Sequence, residues 1–67
     1  MEKYNLVGID GNAFSVMGYV VSCMKKEKKS KEQIDEYLKE AKSSDYDNLL
    51  CVSMDMVEEL NKEAEED

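Results

Sequence analysis

The sequence predicts a small, mostly helical single domain in which a short N-terminal β-strand precedes three helices, a β-α-α-α order. The chain has 67 residues, of which 42% are hydrophobic and 37% charged, and this balance is typical of one folded domain with a single core. Apolar residues recur at helical spacing in three segments, and polar capping signals separate these segments. A domain this small gains stability from self-association.

The predicted strand is YNLVGI, residues 4–9, which is rich in β-prone residues that partly alternate. A lone strand leaves backbone N–H and C=O groups unpaired, so it needs a partner. We expect the same strand of a second copy, antiparallel about a two-fold axis, since two-fold dimers are the commonest oligomers. Two alternatives remain: addition to the sheet of a target protein, or a second strand near residues 49–54, which would make the fold α+β.

Residues 13–28 predict a first helix that is apolar around most of its circumference and lies in the middle of the core. Its remaining stripe consists of small residues, Ser15, Gly18 and Ser22, which would let another backbone approach closely. The predicted dimer interface therefore combines this stripe with the strand and comprises Asn5, Leu6, Val7, Ser15, Gly18 and Ser22.

The second and third helices have clear start signals. Ser30 and Gln33 have the spacing of a capping box, and Ser44 or Asp45 can cap the third helix. Apolar spacing that continues past residue 57 favours a third helix over a strand at LLCVSM. The predicted domain covers residues 1–62, and residues 63–67 form an acidic tail that frays. The predicted core comprises Phe14, Met17, Val20, Val21, Ile34, Leu38, Leu50, Val57 and Leu60.

Residue types that the chain lacks argue against catalysis. There is no histidine and no arginine, so Ser–His and Cys–His nucleophilic sets have no base, and zinc has no His–Cys ligand set. We therefore expect no enzyme activity, no cofactor and no metal. Cys23 and Cys51 are interpreted as small buried hydrophobic residues in a reducing compartment. No apolar run approaches the ~20 residues of a membrane span, and the N-terminus lacks a signal pattern, which predicts a cytoplasmic protein.

Charge is distributed unevenly along the chain. The net charge is −7, and residues 43–67 carry nine acids against Lys62. This acidic field disfavours direct binding of nucleic acid and of anionic membranes. Lysines between residues 25 and 31 are interpreted as complements to the dipole at the end of the first helix.

Two polar turns contain the candidate binding residues. In GIDGNAF, residues 8–14, Gly8 and Gly11 can accept a positive φ or close packing, while Asp10 or Asn12 caps the first helix. As an alternative, Asp10 could join Asp45 and Asp47 as oxygen ligands for magnesium or calcium if the two turns meet.

The pair DGNAF, residues 10–14, and SSDYDNLL, residues 43–50, resembles a family of short, functionally uncharacterised proteins of bacteria and their phages. The similarity covers roughly residues 5–60 and includes EQIDEYLKEA. Similar proteins often have a glycine between the first two helices, where this chain has KEKKSK. The resemblance implies a mobile-element setting and two turns that belong together. By position it marks Asp10, Gly11, Asn12, Ala13, Phe14, Ser44, Asp45, Tyr46, Asp47, Leu49 and Leu50.

Two function classes follow. The first is a small acidic, non-enzymatic interaction protein, encoded by a phage or prophage, that binds and modulates a host protein such as a defence or nucleic-acid enzyme. The second is a small-molecule or metal-binding module that uses the paired turns. In either case the candidate binding residues are Asp10, Gly11, Asn12, Ser44, Asp45, Tyr46 and Asp47.

Overall fold

The computed structural model describes residues 3–65, which form three α-helices and no strand: α1 (Ala13–Lys26), α2 (Lys31–Ala41) and α3 (Tyr46–Glu65). The mostly helical fold class is confirmed. Helix α3 packs against both other helices and is the longest of the three. None of these helices is long and apolar enough to cross a membrane. Residues 66 and 67 of the predicted acidic tail lie outside the described residues.

The core lies where the three helices meet. Its most buried side chains include Val20 and Met24 from α1 and Leu60 from α3, which are fully shielded from solvent. Val21, Leu38 and Leu50 are partly buried and pack against the core. The predicted core residues that are buried are Met17, Val20, Ile34, Val57 and Leu60.

Phe14 was predicted in the core, and this prediction is wrong, because its side chain is 78% exposed. Helix α1 is apolar on nearly every side, but the face that α2 and α3 cover centres on the fully buried Val20. At about 100° per residue, Phe14 lies about 120° around the helix from Val20 and outside this face. Cys23 is buried as predicted, whereas Cys51 is exposed.

The N-terminal segment has no regular secondary structure near Tyr4, so the predicted strand is wrong. The Tyr4 N–H donates to Asn61 Oδ1 at 2.7 Å, and Asn61 Nδ2 donates to the Tyr4 carbonyl at 2.9 Å. The Asn5 N–H donates to the Tyr19 hydroxyl at 2.9 Å. Asn61 of α3 and Tyr19 of α1 thus bond the backbone groups of Tyr4 and Asn5. These are groups that were expected to pair with a second strand. The alternative strand at residues 49–54 is also wrong, since this segment lies within α3.

A tight turn follows and redirects the chain toward α1. The Val7 N–H donates to Asn5 Oδ1 at 2.7 Å, and the Ile9 N–H donates to the Leu6 carbonyl at 3.2 Å. Gly8 has a φ of 87°, a left-handed conformation that glycine adopts without steric strain. The prediction for Gly8 is therefore confirmed.

The connection from α1 to α2 is a Schellman-type helix end followed by a capping box. The Lys29 N–H bonds the Met24 carbonyl at 2.9 Å, and the Lys28 N–H bonds the Lys25 carbonyl at 3.0 Å. Lys28 occupies the left-handed position with a φ of 62°. The predicted capping box of Ser30 and Gln33 begins α2, with both reciprocal hydrogen bonds formed.

One ion pair ties this connection to the end of α3. Lys29 Nζ lies 2.6 and 2.7 Å from the two carboxylate oxygens of Glu63, and only 13% of the Lys29 side chain is exposed. Charge-assisted hydrogen bonds of this kind are stronger than neutral ones. Glu63 was predicted to begin a frayed tail. It instead lies within α3 and forms the ion pair with Lys29.

Replacing Asn61 with alanine should lower the free energy of unfolding by about 1–3 kcal/mol, because the buried N–H and C=O of Tyr4 lose their partners. Urea denaturation measures this change, and hydrogen exchange at the Tyr4 amide should accelerate. Lys62→Ala, at an exposed neighbour on α3, is the matched control and should change the free energy by no more than about 0.5 kcal/mol. Equal effects of the two substitutions would contradict this account of the N-terminal segment.

Lys28→Gly should raise the free energy of unfolding by up to about 1 kcal/mol, because glycine relieves the left-handed strain at this position. Lys26→Gly removes the same charge from the last turn of α1, where φ is helical, and should lower the free energy by about 0.5–1 kcal/mol. Thermal denaturation followed by circular dichroism measures both changes. If Lys28→Gly lowered the free energy of unfolding, the prediction would be contradicted. The lysine side chain would then stabilise the fold by more than the left-handed backbone destabilises it.

Candidate functional site

The first polar turn is organised by two side-chain hydrogen bonds. Asp10 Oδ1 accepts from the Asn12 N–H at 3.1 Å, and Asn12 Oδ1 accepts from the Phe14 N–H at 2.8 Å. Asn12 is the N-cap residue of α1, and Asp10 holds the cap in place. Asp10 and Asn12 were the two predicted N-cap residues of α1, and the N-cap is Asn12.

The second polar turn is built in a similar way. Asp45 Oδ1 accepts from the Asn48 N–H at 3.0 Å, so Asp45 caps α3. The Asn48 side chain donates to the Glu40 carbonyl at 3.0 Å and thereby connects the end of α2 with the start of α3. Ser44 and Asp47 are exposed on the outside of this turn.

The two turns are in contact, as the sequence predicts. The Tyr46 hydroxyl donates a hydrogen bond to the carbonyl of Gly11, 35 residues away. A Cβ atom at Gly11 would lie 3.7 Å from that hydroxyl, which is ordinary van der Waals contact. Gly11 therefore has neither the positive φ nor the close packing that was predicted for it, and the Tyr46 hydrogen bond joins the two turns at the surface.

Two of the three carboxylates considered as metal ligands accept hydrogen bonds within their own turns. One carboxylate oxygen of Asp10 and one of Asp45 are engaged by backbone N–H groups. Among residues 3–65, no group of three or more histidine, cysteine or acidic residues has the geometry to hold a metal ion. Each turn caps the helix that follows it, and the Tyr46 hydroxyl joins the two turns.

The predicted dimer residues fall on two separate surfaces. Leu6 and Val7 line a groove of about 620 Å³ against Leu50 and Met54 of α3, and Val7 is 85% exposed. Asn5 also lines this groove. The stripe of Ser15, Gly18 and Ser22 lies on the outer side of α1, where Ser15 is half-buried and the other two residues are exposed.

A second groove, which the sequence interpretation missed, runs between α2 and α3. Its volume is about 330 Å³. Four exposed carboxylates line it: Glu36 and Glu40 from α2, and Asp55 and Glu59 from α3. We name these four residues and the space between them the acidic groove. Each pair is spaced i, i+4, a pattern that places both carboxylates on one face of its helix and that could have revealed the groove.

Apolar side chains lie beneath the carboxylates of the acidic groove. Met24 and Tyr37 are buried there, and Val52 and Met56 are half-buried. Lys29 also lines the groove, but its ammonium group is paired with Glu63. Neither groove contains any of the seven candidate binding residues of the two polar turns.

The tyrosines beneath these surfaces are held neutral. Burial raises the pKa of Tyr37, whose hydroxyl lies 2.6 Å from Ser53 Oγ. Burial also raises the pKa of Tyr4, and its hydrogen bond to the Glu27 carboxylate acts in the same direction. That hydrogen bond, together with one from Lys3, lowers the pKa of Glu27. These hydroxyls therefore serve packing and hydrogen bonding and are poor bases at neutral pH.

Comparison of the chain with protein-family models, with curated proteins and with solved structures gave no match. The resemblance to short bacterial and phage proteins therefore stays a prediction from the sequence.

Tyr46→Phe should lower the free energy of unfolding by about 0.5–1.5 kcal/mol, because it removes the hydrogen bond that joins the two turns. Ser44→Ala removes an exposed hydroxyl from the same turn and should change the free energy by no more than about 0.5 kcal/mol. Chemical denaturation of the two variants measures the difference. A Tyr46→Phe variant as stable as Ser44→Ala would contradict a structural role for the contact.

Proposed function

We propose that this protein is a non-enzymatic interaction protein that binds a basic region of another protein and thereby modulates its partner's activity. In line with the resemblance, we place it in a phage or prophage and its target, a defence or nucleic-acid enzyme, in the cytoplasm of the host. The observation that carries the proposal is the acidic groove, with its four carboxylates around the half-buried Val52 and Met56.

The groove suits lysine and arginine side chains for two physical reasons. Their aliphatic stems can pack on Met56 and Val52, while their cationic ends meet the surrounding carboxylates. Because Lys29 is already paired with Glu63, it neutralises little of the field. Complementary charge also accelerates the encounter with a basic partner.

Modulation follows from competition. Enzymes that act on nucleic acids bind the phosphate backbone with lysine and arginine side chains. A folded acidic surface that occupies such a basic channel excludes the nucleic acid. No catalytic group is needed for this effect.

The test compares two variants with the same change in net charge. The groove variant carries Glu36→Gln, Asp55→Asn and Glu59→Gln; the control variant carries Glu32→Gln, Asp35→Asn and Glu58→Gln, all at exposed positions outside the acidic groove. Immobilised wild-type protein and the control should capture the same basic protein from a bacterial lysate. The groove variant should bind that purified protein at least about tenfold more weakly, which corresponds to about 1.4 kcal/mol.

Equal weakening by both variants would show that net charge, rather than the acidic groove, determines binding, and would contradict the proposal. The paired turns provide the competing test. A saturable calorimetric signal with magnesium or calcium that is lost in Asp45→Asn would instead support a metal-binding module.

A further inference from the structure

The two helices that form the acidic groove run antiparallel, and their contacts fix the register between them. Near the connecting turn, the Asn48 side chain bonds the Glu40 carbonyl. Farther from the turn, the Tyr37 hydroxyl lies 2.6 Å from Ser53 Oγ. Residue numbers that rise along α3 therefore correspond to residue numbers that fall along α2. The contact between Tyr37 and Ser53 is a reference point from which each carboxylate can be placed along the groove.

The four carboxylates occupy three levels along the acidic groove. Counted from the reference contact at about 1.5 Å per residue, Glu40 lies nearest the connecting turn and Glu59 lies farthest from it. Glu36 and Asp55 lie together at the middle level. Successive levels are about 6–7 Å apart, which is close to one helical turn, and the whole row covers about 13 Å.

Apolar side chains lie between these levels. Val52 and Met56 are half-buried, one turn apart on α3, and line the same groove. In the register given above, Val52 lies between the first and second levels of carboxylates, and Met56 lies between the second and third. Charged and apolar groups therefore alternate along the acidic groove at the spacing of helical turns.

We propose that the acidic groove binds a helix of the partner protein that carries lysine or arginine at three successive turns, at i, i+4 and i+8. This inference rests on the proposed function and adds the shape and the residue spacing of the basic region. Side chains four residues apart on a helix are about 6 Å apart, so each cation meets one level of carboxylates. Apolar parts of the same helix face then contact Val52 and Met56.

A helix fits this groove better than an extended segment does. The alternate residues of an extended segment have a similar spacing, about 6.6 Å, but its backbone N–H and C=O groups need partners. The walls of the groove are helices, whose own backbone groups are bonded internally. A bound helix satisfies its own backbone and packs along the groove between two antiparallel helices, as in other helix-in-groove complexes.

A second copy of this chain does not present the required helix. The lysines within the three described helices are Lys25 and Lys26 in α1, Lys31 and Lys39 in α2, and Lys62 in α3. None of these helices carries cations at three successive turns. Charge complementarity therefore identifies the occupant as a basic helix of a different protein.

Three synthetic helical peptides test the proposal against the full chain. The stepped peptide is rich in alanine and glutamine and has lysines at i, i+4 and i+8. The scattered peptide has the same composition with lysines at i, i+5 and i+10, which distributes them around the helix. A third peptide is the stepped peptide with one central alanine replaced by proline, which disrupts the helix. Circular dichroism checks the helicity of each peptide, and fluorescence anisotropy at low salt measures binding.

The stepped peptide should bind at least about tenfold more tightly than either of the other two peptides. The groove variant should lose this preference, and the control variant should keep it. Equal binding of the stepped and scattered peptides, equal binding of the proline peptide, or no binding of the stepped peptide would overturn the inference. The proposed function has a separate point of failure, namely unchanged binding of the captured basic protein by the groove variant.

Single substitutions at the two ends of the groove test the three levels. In the wild-type protein, replacing either end lysine of the stepped peptide with alanine should weaken binding. In Glu40→Gln one of these two replacements should lose its effect, and in Glu59→Gln the other should, whichever way the helix runs. Both glutamates are exposed, so these variants should keep their fold. If both replacements kept their full effect in both variants, the assignment of cations to levels would be overturned.

Discussion

In a bundle of three helices, each helix buries one side against the other two and leaves its other side exposed. This geometric constraint determines which residues form the core and which form the surface. Helix α3 lies against both α1 and α2, and the fully buried Leu60 and Ser53 mark its inner side. The outer side of each helix stays open. An apolar segment such as α1 therefore exposes part of its hydrophobic surface, and the acids of α2 and α3 meet along a groove.

Polar contacts between distant parts of the chain compensate for the small core. Asn61 holds the N-terminal segment, Glu63 holds the connection after α1, and Ser53 shares a hydrogen bond with Tyr37 of α2. All three residues belong to α3. Within the described residues, no buried polar side-chain atom lacks a hydrogen-bond partner. This helix therefore provides both the apolar centre and the polar connections of the fold, which is typical of small domains in which few residues are fully buried.

Local signals predicted much of this structure. The capping box at Ser30, the cap at Asp45 and the periodicity of α2 depend on residues within one or two turns, so the sequence contains them directly. Asn61 binds the backbone of Tyr4 across 57 residues, and no short pattern reveals such a contact. Periodicity placed Phe14 on an apolar helix but did not tell which side the other helices cover. The acidic groove combines residues of two helices, and charge totals along the chain obscure it.

The two cysteines have opposite surroundings, and the exposed one can be labelled selectively. Cys51 is exposed on α3, while Cys23 is buried and burial raises the pKa of its thiol. Alkylating reagents react with thiolates, so they will modify Cys51 and spare Cys23 while the chain stays folded. Cys51 lines neither groove and lies outside α1. A fluorophore or spin label can therefore be coupled to the unmodified sequence without occupying any of the surfaces described above.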